Sequence, residues 1–145
     1  MRLNCYLRKG VVYLPTFAKL DSGAYMGIEP IAVVPVSAVA ELRRAFQETV
    51  ARGNPVRPHP KRADIPPNPL LKLAGVKTDA AFERGALTWR IVRRDGIYRI
   101  EGQKRRPGGG WVDDPDQVIE FPPTASPDDV IDRMIAILQA EARTA

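Results

Sequence analysis

Alternating apolar and polar positions predict a β-hairpin near the middle of the chain. Two alternating runs flank Asp95-Gly96, and this dipeptide favours a type I′ turn because both central positions of that turn need positive φ. The register that follows pairs Arg94 with Ile97 and Trp89 with Gly102. Since side chains alternate across a strand, one face carries Trp89, Ile91, Tyr98 and Ile100. The other face carries Arg90, Val92, Arg94, Arg99 and Glu101. We expect the first face to pack on a core and the second to present arginines to water or to a partner.

The N-terminal residues show the same kind of pattern. Residues 3–8 alternate, Lys9-Gly10 suits a two-residue turn, and residues 11–19 return as a second strand. The apolar side chains on one face of this hairpin are Leu3, Cys5, Leu7, Val12 and Leu14. Residues 24–34 are rich in Ile and Val and predict a third strand. Pro30 within it indicates a sheet edge or a bulge, because proline has no N–H to donate.

In two segments the apolar residues recur at the spacing of one face of an α-helix. Ser37 can cap a helix that ends at Gly53, and the apolar face of this helix consists of Val39, Leu42, Phe46 and Val50. Near the C-terminus, Ser126 is a typical N-cap and Pro127 suits the first helical position. Two aspartates follow in the first turn, where the helix dipole favours negative charge. The wide apolar face of this second helix must be buried.

The chain between these helices is proline-rich at first. Residues 54–69 hold six of the fourteen prolines, which predicts an extended connection rather than regular structure. Residues 69–74 predict a short helix, Thr78 can cap another one that ends at Arg84, and residues 117–121 predict a further strand. The pattern indicates a single α+β domain over residues 1–145. In it, an antiparallel sheet built from two hairpins plus further strands packs against two amphipathic helices, residues 37–52 and 126–143.

Charge is distributed unevenly along the chain. The formal net charge is +5, but residues 1–106 hold 20 Lys and Arg against 9 Asp and Glu, whereas residues 107–145 hold 2 against 8. A basic body favours an anionic partner such as nucleic acid or an acidic protein surface. A solvated cationic surface that the C-terminal helix partly neutralises is equally consistent with these counts. No apolar run long enough to span a membrane and no signal-peptide pattern is present, so we expect a cytoplasmic protein.

The residue types needed for catalysis are sparse. His59 is the only histidine and lies between two prolines, where we expect a mobile, exposed imidazole. Cys5 is the only cysteine and is interpreted as a small buried hydrophobe. Asp113, Asp114 and Asp116 lack the glycine and glutamate of a calcium-binding loop, which favours a solvated acidic turn. Residues 108–110 are three glycines that we interpret as a flexible connection. We therefore expect no enzymatic activity, no metal and no cofactor.

The hairpin and the residues after it hold the best candidates for contact with a partner. These are Arg90, Arg94, Arg99, Lys104, Arg105, Arg106 and Trp111. Basic side chains near a tryptophan can neutralise phosphates and stack on a base, as in proteins that bind single-stranded nucleic acid. Arg and Trp are also the residue types that most often dominate protein interfaces. Both interpretations remain open at this point.

Four segments of the sequence resemble a known class of protein. They are LNCYLRKGVVYLPT, then GAYMGIEPIAVVPVS before a helix, AFERGALTWRI, and DGIYRI with the later GGGWV and IEFPP. In these segments the chain resembles the small immunity proteins of bacterial contact-dependent growth inhibition systems. The resemblance implies a cytoplasmic protein that binds a cognate toxin domain and neutralises it without chemistry of its own. Immunity proteins that oppose nucleases are often acidic, whereas this body is basic. Either the toxin presents an acidic surface or the acidic C-terminal part makes the contact. The alternative is a nucleic-acid-associated protein that uses the arginine-rich hairpin.

Overall fold

The computed structural model describes residues 1–144 and consists of one antiparallel sheet with helices on both faces. The strands are β1 (Arg2–Arg8), β2 (Val11–Leu20), β3 (Tyr25–Pro35), β4 (Val56–Arg57), β5 (Ala86–Arg94), β6 (Ile97–Arg105) and β7 (Trp111–Glu120). The helices are α1 (Val39–Arg52), α2 (Pro69–Ala74), α3 (Asp79–Arg84) and α4 (Pro127–Thr144). The strand order is β3-β2-β1-β5-β6-β7, and β4 runs parallel to the end of β2. The predicted α+β class, with an antiparallel sheet packed against helices, is confirmed.

Both predicted hairpins are present in the predicted register. In the central one, Arg94 pairs with Ile97 and Trp89 with Gly102. Asp95 and Gly96 have φ of 53° and 76°, the left-handed values that a type I′ turn needs. Lys9 and Gly10, with φ of 50° and 74°, make the same kind of turn in the first hairpin. β3 lies at a sheet edge, with a register shift opposite Pro30 between Pro15 and Thr16, so both features indicated by Pro30 occur.

The main core lies between the sheet and the two long helices. It contains the apolar residues predicted for one face of each hairpin: Leu3, Cys5, Leu7, Val12 and Leu14 from the first, and Trp89, Ile91, Tyr98 and Ile100 from the second. From the helices come Leu42 and Phe46 of α1 and Met134 and Leu138 of α4, all fully buried. Two polar contacts join the exposed sides of α1 and α4, Arg43 to Asp132 at 2.9 Å and Gln47 to Asp128 at 3.1 Å. The two amphipathic helices therefore cover one face of the sheet together.

A second, smaller core lies on the opposite face of the sheet. Its buried residues are Tyr13, Leu70, Phe82 and Ala86, and Tyr6 and Trp111 pack against them. The rings of Tyr6 and Tyr13 both meet Phe82 edge to face, with centroids 5.7 and 5.8 Å apart. The short helices α2 and α3 supply Leu70 and Phe82. The chain between α1 and β5 thus crosses to the second face and covers part of it.

The proline-rich connection is mostly extended, as predicted, but it contains two short regular pieces. β4 pairs with β2, and residues Arg62–Asp64 form one turn of 3₁₀ helix. Asn54 fixes the start of the connection, because its side-chain amide donates to the carbonyl oxygens of Arg2 and Phe17 at 2.7 and 2.9 Å. One side chain thereby ties the segment to both β1 and β2.

Of the three helix N-caps predicted from the sequence, two are present and one is not. Ser37 does not cap α1, since the helix begins one residue later and its N-cap, Ala38, makes no side-chain bond. Ser126 does cap α4: its hydroxyl accepts from the Asp129 N–H at 3.1 Å, and the Asp129 carboxylate accepts from the Ser126 N–H at 2.9 Å. Thr78 likewise caps α3.

None of the helices within residues 1–144 is long and apolar enough to cross a membrane.

The largest correction concerns the last strand. We predicted it over residues 117–121, with a solvated acidic turn before it. Instead β7 begins at Trp111 and includes Asp113 and Asp114. The three glycines Gly108, Gly109 and Gly110, all at positive φ, form the turn that joins β6 to β7. A register shift near Gly102 lets the strand continue past Pro115.

Candidate partner-binding surface

A network of charged and amide side chains lies beside the second core on the same face of the sheet. We call it the guanidinium network, and it consists of Arg2, Asn4, Arg90, Arg99, Glu101, Gln103 and Asp113. The register explains why these residues meet. Asn4 pairs with Arg90, Arg90 with Glu101, and Gln103 with Asp113, so four strands place these side chains on one face. Tyr6 follows Asn4 by two positions, which places the second core next to the network.

Arg90 occupies the centre of the network. Its guanidinium pairs with Asp113 and lies 3.7 Å from Glu101, which in turn lies 3.7 Å from Arg99. Arg90 and Glu101 are each only 8% exposed. A side chain held between two carboxylates on a sheet loses little freedom when a partner binds, since it is already ordered.

Amide groups extend the network to β1. The Gln103 amide donates to Asp113 at 3.2 Å and the Asn4 amide donates to Gln103 at 3.4 Å. Arg2 donates to Asn4 at 3.4 Å, and its guanidinium lies over the ring of Tyr25, 4.9 Å from the ring centroid. The network therefore runs without interruption from the edge strand β7 to β1.

The network carries more positive than negative charge. Three guanidiniums face two carboxylates, and no carboxylate of residues 1–144 lies within ion-pair distance of Arg2. Burial, and then the charge of Arg90, lowers the pKa of Arg2. The buried Nε atoms of Arg90 and Arg99 also lack a hydrogen-bond partner within residues 1–144. Positive charge in the network is therefore least compensated on the Arg2 side.

The basic residues near the β6–β7 turn form a second, separate group. Arg105 lies 3.6 Å from Glu83 of α3, and Glu83 also accepts from the Gly110 N–H at 3.0 Å. The Nε of Arg106 donates to the Gly109 carbonyl at 3.3 Å. Trp111 is half-buried and packs against the second core. Trp111 thus helps to hold α3 and the turn on the sheet.

The structure thereby sorts the seven residues predicted to contact a partner. Arg94, Lys104, Arg105 and Arg106 are exposed, and the Arg99 side chain is 36% exposed. We expected the second face of the hairpin to present its arginines to water or to a partner. Exposure to water is wrong for Arg90, which is 8% exposed and pairs with Glu101 and Asp113, although the Asp113 side chain itself is 64% exposed. Lys104 lies seven residues along β6 from Ile97, the partner of Arg94, a separation of about 23 Å at the usual rise of a strand. The exposed candidates therefore form two groups at opposite ends of the hairpin, Arg94 at one end and Lys104, Arg105 and Arg106 at the other.

Sequence reasoning missed Arg2, Asn4, Gln103 and the pairing role of Asp113. Part of the signal was available, because Arg2 and Asn4 alternate with the buried Leu3 and Cys5 and so had to lie on the other face. What was missing was the partner strand. β1 pairs with β5 across more than eighty residues of chain, and no local pattern specifies that pairing.

His59 and Cys5 occupy simple environments. His59 is exposed, and its Nδ1 lies 2.8 Å from the Ser22 hydroxyl. Asp21 accepts from the backbone N–H of His59 and not from its ring, so it does not orient the imidazole as a catalytic carboxylate does. Cys5 is buried, and burial raises the pKa of its thiol to about 12. The thiol therefore stays protonated at neutral pH and is a poor nucleophile.

Comparison with known proteins informs the fold. No family model matches the chain, and neither does any curated protein. Among solved structures, the chain is similar to a protein of unknown function from Neisseria meningitidis, with a TM-score of 0.65 and 14% sequence identity. The match covers 97% of this chain and 93% of that one. The architecture is therefore shared almost from end to end.

Proposed function

We propose that the chain is a non-enzymatic immunity protein that binds and neutralises a cognate bacterial toxin domain. The resemblance to contact-dependent growth inhibition immunity proteins suggests this class. The structural observation that supports it is the guanidinium network, a preorganised surface of mixed charge on the open part of a sheet. Such a surface suits a protein partner that presents at least one acidic side chain to Arg2 and Arg99.

The same observation favours protein over nucleic acid as the partner. Binding to a phosphate backbone depends on cations that are free to replace counterions. In this chain Arg90 and Arg105 already have carboxylate partners, and the exposed cations are divided between two ends of the hairpin. Complementary charges across a protein interface instead combine both signs and fix orientation. Arginines held by a sheet are typical anchors of such interfaces.

Growth rescue tests this proposal directly. The proposal predicts a gene for a large secreted protein beside the gene of this chain. The C-terminal domain of that protein is expressed from an inducible promoter, with and without the chain. We expect the wild-type chain to restore growth and to form a stoichiometric complex with the toxin domain at physiological salt. Arg2→Glu combined with Arg99→Glu is expected to abolish rescue, because like charges then meet at the interface.

Arg133→Gln on α4 serves as the matched control. Arg133 is exposed on a helix that covers the other face of the sheet, so this variant is expected to rescue growth fully. Absence of rescue by the wild-type chain contradicts the proposed function. Full rescue by the doubly reversed variant contradicts the proposed surface.

A further inference from the structure

A cavity lies between the proline-rich connection and strands β1 to β3. We call it the proline pocket, and its volume is about 360 Å³. Tyr6, Phe17, Tyr25 and Met26 form the wall on the sheet side, and Pro66 and Pro67 lie opposite. The volume falls within the range of about 300–1,000 Å³ that is usual for small-molecule sites.

The walls of the proline pocket are rigid for identifiable reasons. Prolines have a fixed φ, so residues 66 and 67 hold an extended shape without hydrogen bonds of their own. Asn68 anchors the end of this wall by accepting from the Leu70 N–H at 3.0 Å and by donating to Asp79 at 3.0 Å. The opposite wall belongs to a sheet. A cavity with such walls exists before a ligand arrives, which lowers the entropic cost of binding.

Positive charge lies next to the apolar wall. The Arg2 guanidinium stacks on the Tyr25 ring, and it is the one cation of the guanidinium network without a carboxylate partner within residues 1–144. Arg2 does not line the cavity itself and adjoins it through Tyr25, and the titratable residues that do line the cavity are Tyr6, Tyr25 and Asp79. Burial raises the pKa of Tyr6 to about 12, so its hydroxyl is neutral at physiological pH. Asp79 is exposed and already bonded to Asn68.

We propose that the proline pocket binds a small organic anion, with an aromatic or branched apolar group inside the cavity and its carboxylate beside Tyr25 and Arg2. The apolar part gains from leaving water against the tyrosine, phenylalanine and proline walls. The carboxylate gains a charge-assisted hydrogen bond from an otherwise uncompensated guanidinium. Asp79 lies at the cavity as well, so a cationic ligand is the opposing possibility that the experiment must separate.

Three probes that share one ring system but differ in charge distinguish an anionic ligand from a cationic one. Indole-3-acetate, indole-3-acetamide and tryptamine are titrated into the full chain at constant ionic strength, and amide chemical shifts are followed by NMR. We expect saturable shifts with indole-3-acetate at Tyr25, Gly27 and residues 65–68. The neutral amide is expected to bind about tenfold more weakly, which one charge-assisted hydrogen bond accounts for. Stronger binding of tryptamine, or no saturable binding of indole-3-acetate, overturns the proposal.

Two substitutions locate the ligand. Gly27 lines the cavity at ordinary φ, and a Cβ there meets Pro15 at 3.7 Å, an ordinary contact. Gly27→Leu is therefore expected to fill the cavity and abolish binding, while Gly27→Ala, which adds one methyl group, weakens binding and keeps the fold. Arg2→Gln is expected to weaken indole-3-acetate about tenfold and to leave the neutral amide unchanged. Arg133→Gln is the matched control with no effect.

Unchanged binding in both Gly27 variants overturns the proposed location, and unchanged binding in Arg2→Gln overturns the proposed role of the cation. Ligand binding and toxin neutralisation are separable properties. Gly27→Leu alters the cavity and leaves the side chains of the guanidinium network as they are. Rescue of growth by Gly27→Leu together with loss of indole-3-acetate binding is therefore the combined result expected if both proposals hold.

Discussion

Arg90 shows how one buried cation depends on its two partners. Its side chain and that of Glu101 are 10% and 11% exposed, whereas that of Asp113 is 64% exposed. Arg90→Leu leaves the Glu101 carboxylate buried with only Arg99 nearby, so we expect a loss of about 2–4 kcal/mol in the free energy of unfolding. Urea denaturation monitored by tryptophan fluorescence measures this loss.

Two comparison variants make the Arg90 prediction specific. Arg94→Leu changes an exposed arginine on the same strand and is expected to cost less than about 0.5 kcal/mol. Arg90→Leu combined with Glu101→Leu removes both buried charges and is expected to recover part of the loss. If the double variant is less stable than the sum of the two single variants predicts, the buried pair is not the cause.

The raised pKa values of Cys5 and Tyr6 lead us to expect that the free energy of unfolding depends on pH in the alkaline range. Burial raises their pKa values from 9.0 and 10.0 to about 12. Between these values the unfolded groups ionise while the folded groups keep their protons, so the free energy of unfolding falls as pH rises from about 9 towards 12. Tyr6→Phe and Cys5→Ala are each expected to reduce this slope in urea titrations at several pH values. A slope that neither variant changes contradicts the assignment.

At the scale of elements, most features with a local signal could be predicted from the sequence, although Ser37 does not cap α1 as predicted. The two-residue turns, the Ser126 cap and Pro30 of β3 each act within a few residues, and each was placed correctly. The start of β7 was missed because three glycines and an acidic run hide its alternation, and its position depends on pairing with β6. The candidate surface depends on the pairing of β1 with β5, so only its hairpin half could be predicted.

The central turn gives the test at this scale. Gly96 has φ of 76°, and no atom lies within 4 Å of a Cβ placed there. Gly96→Val therefore adds backbone strain without a steric clash, and we expect it to cost about 1–3 kcal/mol. Gly96→Asn is the matched control, because asparagine tolerates positive φ, and it is expected to cost less. Thermal unfolding compares the two, and equal melting temperatures in wild type and Gly96→Val contradict a strained left-handed position.

At the scale of the whole molecule, the net charge of +5 is a weaker guide than the placement of its cations. Acidic side chains of β6, β7 and α3 form ion pairs with Arg90 and Arg105. The sequence alone does not indicate these pairings. Long-range attraction to any polyanion still follows from the net charge. Tight binding to nucleic acid, however, needs a continuous row of uncompensated cations matched to the phosphates.

We therefore expect only weak, sequence-independent binding to nucleic acid. Titrations against single-stranded and duplex DNA and RNA at about 50 and 200 mM salt measure it, because several phosphate contacts change affinity by orders of magnitude over that range. Changing Arg94, Lys104 and Arg106 to Ala is expected to lower the remaining affinity at low salt, since these exposed cations lack carboxylate partners within residues 1–144. Arg90→Leu is expected to change the affinity for nucleic acid little, because Glu101 and Asp113 already compensate the charge of Arg90. Tight, sequence-selective binding at the higher salt contradicts the choice of a protein partner and favours the nucleic-acid alternative.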